Sequence, residues 1–237
     1  MSEQKINKKL FQDRKRTNIL SNPEQRFISY LVPRIPDWIT SDGLTAIGFL
    51  GSIMILVSFL LAEYVDKDLL LLAIPGFFIQ WFGDSLDGRI AYYRNKSRKW
   101  YGFALDIVMD WVSTVFIGLG YMLYTVGDFK YLGFALVALY GWAMIISQLR
   151  YRITDKYTID AGLLGPTEIR VVVCLVLLVE VLFKGSIDYS VLGICVILFF
   201  INVGDTLKLL AVGDAKDKEE KLAKQKAEQE KTDDVQA

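Results

Sequence analysis

Six apolar segments, at about residues 43–63, 69–92, 103–126, 131–149, 167–184 and 188–211, leave this chain little choice of fold. Each is near the ~20 residues a helix needs to cross the hydrocarbon of a bilayer. Composition agrees, since 53% of the 237 residues are hydrophobic, and a length that elsewhere suggests one or two soluble domains loses that meaning. The sequence therefore predicts an all-α polytopic membrane protein with six transmembrane helices over residues 38–212.

Topology follows from where the charges fall. The connections at 93–101 (Arg94, Lys96, Arg98, Lys99) and 150–166 (Arg150, Arg152, Lys156) are basic, whereas those near 64–68, 127–130 and 185–187 are not. The positive-inside rule makes the basic side cytoplasmic, and an even number of spans returns both termini to it. Residues 1–37 carry Lys5, Lys8, Lys9, Arg14, Lys15, Arg16, Arg26 and Arg34 without a cleavable apolar core, so no secretory signal is expected. Within them PEQRFISYLVP (23–33) mixes Phe27, Tyr30, Leu31 and Val32 with charge, as an amphipathic helix lying in the membrane interface does. The rest of the chain, 213–237, is a charged tail, partly helical or disordered, with i,i+4 pairs such as Asp217 and Lys221. The expected location is a cell membrane, the bacterial inner membrane, with site and termini cytoplasmic.

Lys plus Arg and Asp plus Glu both number 27, which gives no reason to expect a nucleic-acid partner. Histidine is absent, so imidazole bases, nucleophiles and zinc ligands are excluded, and acid–base chemistry falls to carboxylates. Cys174 and Cys195 lie in apolar runs without metal spacing and read as packing residues.

The second segment ends GDSLDGRIAYYR, with Asp84, Asp87, Ala91 and Arg94 at offsets 0, 3, 7 and 10, the repeat of one helical face. The third opens GFALDIVMD, with Asp106 and Asp110 at i and i+4. An ionised aspartate at membrane depth costs roughly 2.5–3.5 kcal/mol on insertion scales, so four facing one cleft require compensation. Divalent metal supplies it, and carboxylates without imidazole or thiolate favour hard cations such as Mg²⁺ or Mn²⁺, alone or as a pair suited to phosphoryl transfer. Gly88 and Ala91 remove side chains from the same face; that suits a nucleotide against the helix backbone, and equally suits close helix packing.

Asp84-x2-Asp87-Gly88-x2-Ala91 followed by Gly102-x3-Asp106-x3-Asp110 resembles the signature of the CDP-alcohol phosphotransferase (CDP-alcohol phosphatidyltransferase) family. ITSDGLTAIGFLG, ahead of it, is similar to the family's approach to its first span, and the six-span pattern extends the resemblance over about residues 25–211. Tyr92 departs from it, standing where the family usually has Arg, and the interval to Gly102 is about one residue longer than is common. Arg94, on the face of Asp87 and Ala91, is either a substitute for that guanidinium or an interfacial anchor.

The resemblance implies that Asp84, Asp87 and Asp106 bind metal, that Asp110 is metal-linked and the catalytic general base, and that Gly88 and Ala91 admit the cytidine diphosphate; Asp84 and, as the substitute guanidinium, Arg94 are the further candidates for the CDP side. It implies transfer of a phosphatidyl group from CDP-diacylglycerol to the hydroxyl of a small polar acceptor in phospholipid biosynthesis, with CMP released, by a homodimer. The alternative within the family is a choline or ethanolamine phosphotransferase acting on diacylglycerol; outside its activity stand an inactive relative and a divalent-cation transporter. Arg150 and Arg152 are candidates for binding an acceptor phosphate, together with Lys156 and Arg170, although cytoplasmic loops are basic in any case. Two further charge pairs, Glu180 with Lys184 and Asp205 with Lys208, read as snorkelling pairs near segment ends.

Overall fold

The computed structural model describes residues 19–154 and 165–236, with the side chains of the last helix described as far as residue 225. Lys156 and the basic residues before position 19 lie outside the described residues. All regular elements among the described residues are helical. They are α1 (Ser21–Leu31), α2 (Ser41–Tyr64), α3 (Ala73–Tyr93), α4 (Lys99–Tyr124), α5 (Tyr131–Thr154), α6 (Pro166–Leu182) and α7 (Ser186–Gln236). Short 3₁₀ turns at Val32–Arg34, Lys67–Leu72 and Gly127–Lys130 lead out of α1 and into α3 and α5.

Five stretches are long and apolar enough to span a bilayer: Ser41–Tyr64, Lys67–Tyr93, Lys99–Tyr124, Gly127–Thr154 and Ser186–Gln225. This is a membrane protein. The remaining expected span, α6, has 17 residues and sits at the lower edge of the roughly 17–25 that cross hydrocarbon. It stops at Leu182 because the chain turns there, with Gly185 at a φ of +92° that favours glycine, before α7 begins.

Helix starts obey local chemistry. Thr40 caps α2, its Oγ1 accepting the Gly43 N–H at 3.0 Å. Pro166 opens α6, and Glu168 Oε2 accepts the Gly165 N–H at 2.9 Å. No break occurs at Gly213, so the charged tail continues α7 as helix, with Lys218 and Asp214 paired at 2.7 Å one turn apart.

The chain forms two compact units. The larger contains residues up to 138 and 160–195; the smaller contains 139–159 and 196–237. In the larger, α2 and α3 meet along glycines. A methyl on Gly51 would stand 2.5 Å from the Gln80 nitrogen and 2.6 Å from the Gly76 carbonyl oxygen, and one on Gly83 would collide with Gly48 and the Leu44 carbonyl. Backbones this close gain dispersion contacts where lipid offers no hydrophobic drive. Ser52 and Ser113 exchange a buried 2.8 Å hydrogen bond that joins α2 to α4. Below the seam α1 is anchored: Ile28 and Val32 are buried with Leu44, Trp81, Leu86 and Ile90, and Phe27 stacks on Trp81 at 5.9 Å.

At the ends of α4 and α6 remote from α1, Glu180 does not pair as its spacing suggested. Its carboxylate, 1% exposed, accepts from Tyr124 Oη (2.8 Å), the N–H groups of Gly185 (2.9 Å) and Ile187 (2.8 Å), and Ser186 Oγ (3.1 Å). It is a buried cap for the start of α7, where orphan N–H groups and the helix dipole welcome negative charge. In the smaller unit Asp205 does meet Lys208, at 3.3 Å, and Trp142 Nε1 donates to Thr206 Oγ1 at 3.1 Å.

Candidate active site

Asp84, Asp87, Asp106 and Asp110 line one cleft in the larger unit. The first two come from the C-terminal half of α3 and the second two from the N-terminal half of α4, so the i,i+3 and i,i+4 spacings do converge. Thr45, Gly48 and Phe49 of α2, with Gln80, Met109 and Ser113, complete the wall. The glycine seam is what allows α2 to form that wall, since a bulkier contact at Gly48 would push it away from α3.

Two aspartates have specified partners. Thr45 Oγ1 donates to Asp87 Oδ2 at 2.6 Å, and Ser41 Oγ donates to the Asp87 carbonyl at 2.9 Å, so the start of α2 holds this residue by side chain and backbone. Asp84 Oδ2 accepts from Arg170 Nη2 at 2.6 Å, an ion pair reached from α6 across 86 positions of sequence. Thr114 Oγ1 donates to the Asp110 carbonyl at 2.9 Å, which leaves the role of its carboxylate to the cleft.

Gly88 is exposed on α3. A methyl built there meets no atom of the described residues within 4 Å, and the same is true of Gly102 at the start of α4. Close packing thus gives no reason for either glycine, in contrast to Gly51 or Gly83. Gly88 follows Asp87 directly, and its open side leaves space outside the α3 backbone.

Arg94 lies one turn beyond Ala91, and its guanidinium is occupied by the segment ahead of α2. It donates to the carbonyls of Ile39 (2.6 Å), Ile35 (2.8 Å) and Pro36 (3.0 Å), and stands 3.5 Å from Asp37. This clamps the link between α1 and α2 to the end of α3. In the smaller unit Arg150 stands 3.7 Å from Asp205, and Arg152 lies in the last turn of α5. Tyr92 is 44% exposed.

The donor set suits a hard divalent cation: four carboxylates with hydroxyl neighbours, and no imidazole or thiolate. Among the described residues, no three acidic side chains stand close enough together to hold an ion in this arrangement. The chemistry of the donor set fits while its spacing is open, and Asp84 is held by Arg170 in this arrangement.

Thr45 and Ser41 were not legible as site residues, and Arg170, expected beside an acceptor phosphate, stands instead on Asp84. Thr45 and Ser41 look like ordinary residues at a helix start, and Arg170 looks like one more basic residue near a loop. No local spacing links any of them to the aspartates.

No curated protein matches the sequence. Residues 38–204 match the profile of CDP-alcohol phosphatidyltransferase, a stretch that contains the whole cleft. The chain therefore belongs to the CDP-alcohol phosphatidyltransferase family, and is a transferase of substituted phosphate groups that moves a phosphatidyl group from a CDP-alcohol.

Proposed function

We propose that this protein is a divalent-metal-dependent enzyme of phospholipid synthesis that transfers the phosphatidyl group of CDP-diacylglycerol to the hydroxyl of a small polar acceptor, releasing CMP. The observation that carries this reading is the convergence of Asp84, Asp87, Asp106 and Asp110 on one cleft beside an open Gly88. Asp84, Asp87 and Asp106, with Asp110 at the edge of the set, are the residues to hold Mg²⁺ or Mn²⁺. Bound there, the metal supplies charge neutralisation for the pyrophosphate oxygens and the leaving phosphate.

The chain's own residues supply position and a proton acceptor. Asp84, Gly88 and Ala91 form the CDP side of the cleft, and Arg94 acts through the 35–39 segment that it holds. The acceptor oxygen attacks the phosphorus that bears diacylglycerol; the bond from that phosphorus to the bridging oxygen breaks, and CMP leaves with the electron pair. Asp110 takes the proton from the attacking hydroxyl. Thr45 keeps Asp87 oriented, which favours attack from one geometry only. Arg150 and Arg152 remain the residues proposed to meet an acceptor phosphate.

The basic connections support a cytoplasmic site with both termini on the same side, in a bacterial inner membrane. We read α6 as a sixth, short span, α1 as a helix at the membrane interface, and the active form as a homodimer. The test uses purified protein in detergent with Mg²⁺ or Mn²⁺. CMP release from CDP-diacylglycerol is recorded over a panel of polyol, polyol-phosphate and amino-alcohol acceptors. Release with a single acceptor is the expected result. Release only from CDP-choline or CDP-ethanolamine with diacylglycerol would overturn the donor assignment, and no release in any combination would overturn the activity.

A further inference from the structure

Arg170 reaches Asp84 because the start of α6 is fixed from two directions. Glu24 of α1 accepts from Thr167 Oγ1 at 3.0 Å and from Trp81 Nε1 at 3.2 Å, so one carboxylate joins the first turn of α6 to α3 one turn before Asp84. Glu168 answers from α6, where Oε1 accepts the Leu20 N–H at the start of α1 at 2.6 Å while Oε2 accepts from Gly165. Thr167 and Arg170 are three residues apart and lie on one helical face. Fixing Thr167 beside Glu24 and Trp81 therefore sets the phase of α6, and Arg170 meets Asp84 at 2.6 Å.

That contact is well shielded, with the Arg170 and Asp84 side chains 16% and 29% exposed. A cleft lined by four carboxylates within apolar helices needs positive charge at all times, whether or not an ion is bound. The guanidinium provides it at Asp84 Oδ2, an oxygen of a carboxylate that would also serve a hard cation. A guanidinium at hydrogen-bond distance and a divalent ion held by the same carboxylate would repel each other and compete for its lone pairs.

We propose that Arg170 is a resident counter-cation for Asp84: it neutralises the aspartate in the metal-free protein and yields that oxygen when a divalent ion binds, so that it sets the apparent metal affinity without being a ligand. The inference rests on the assignment of Asp84 to the metal. It makes Arg170 a positioning residue whose effect on metal binding has the opposite sign from that of a supporting one, because a ligand shifts an equilibrium only by its preference for one state.

The test is Mn²⁺ binding to the full-length protein in detergent, read from the electron paramagnetic resonance of free Mn²⁺, for wild type, Arg170→Gln and Arg170→Lys. Arg170→Gln is expected to bind Mn²⁺ about tenfold more tightly than wild type, and Arg170→Lys, which keeps the charge and loses the fork, to fall between. In EDTA, Arg170→Gln should unfold at a lower temperature than wild type, and Asp84→Asn in the same chain should restore part of the loss. Unchanged or weaker Mn²⁺ binding by both Arg170 variants, with wild type binding normally, overturns the counter-cation role alone. Absence of Mn²⁺ binding in every variant overturns the metal assignment and this inference together.

Discussion

Along α3, two sets of glycines separated by about one turn serve opposite ends. Gly76 and Gly83 face α2, where an added methyl would meet backbone or the Ile55 side chain, so they exist to bring two helices together. Gly88, next to Asp87 in sequence, faces nothing within 4 Å among the described residues. The seam uses its small residues for dispersion, and the proposed function gives Gly88 the opposite use, access for the CDP-linked donor. The first also makes the second possible, because close approach of α2 is what brings Thr45 to Asp87.

This contrast can be broken by substitution. The largest effect is expected at the cleft: Asp106→Asn should reduce CMP release by roughly a hundredfold or more while leaving the unfolding temperature in detergent near that of wild type. A matching loss of thermal stability would mean that Asp106 supports the fold. Next comes Gly51→Ala, which forces backbone apart at 2.5 Å and should cost about 1–3 kcal/mol, visible as a lowered melting temperature and poorer recovery of folded protein. Gly88→Ala should do the reverse. Its stability should stay within about 0.5 kcal/mol of wild type, and its KM for the CDP-linked donor should rise. Equal melting losses for Gly51→Ala and Gly88→Ala would erase the distinction between seam and cleft. Smallest is Thr45→Val, which removes the 2.6 Å bond to Asp87; about 1 kcal/mol of lost orientation should appear as a several-fold fall in kcat, recovered by Thr45→Ser.

The sequence was informative wherever periodicity carries information. Asp84 and Asp87, then Asp106 and Asp110, share faces by spacing alone, and their convergence needs only that consecutive helices be neighbours. The apolar runs located the helix starts to within a few residues, because membrane thickness fixes the length of a span, whereas the last helix runs on past its apolar part to Gln236. Glycines were not legible in this way. Gly83 and Gly88 look alike in a helical pattern, and only the position of α2 separates a glycine that must be small from one that leaves room.

Charged residues divided along the same line. Asp205 and Lys208 meet as their spacing suggests, since that contact is made within one helix. Glu180 turned instead to the N–H groups of Gly185 and Ile187, because the chain reverses just after α6 and brings unpaired donors to it. Arg170 is the extreme case, its partner lying on another helix with no periodic relation to it. Membership of the family places the chain with transferases, which removes the transport alternative that the intramembrane carboxylates had left open.

The central claim is that the α3–α4 cleft performs the transfer, and Asp110 tests it most directly. CMP release from CDP-diacylglycerol should be compared for wild type and Asp110→Asn, at equal amounts of folded protein and saturating Mg²⁺ or Mn²⁺. A fall of roughly a hundredfold or more in the variant, with its melting temperature unchanged, is the predicted result. Release by Asp110→Asn within a few-fold of wild type would contradict the claim and send the search for the general base elsewhere in the chain.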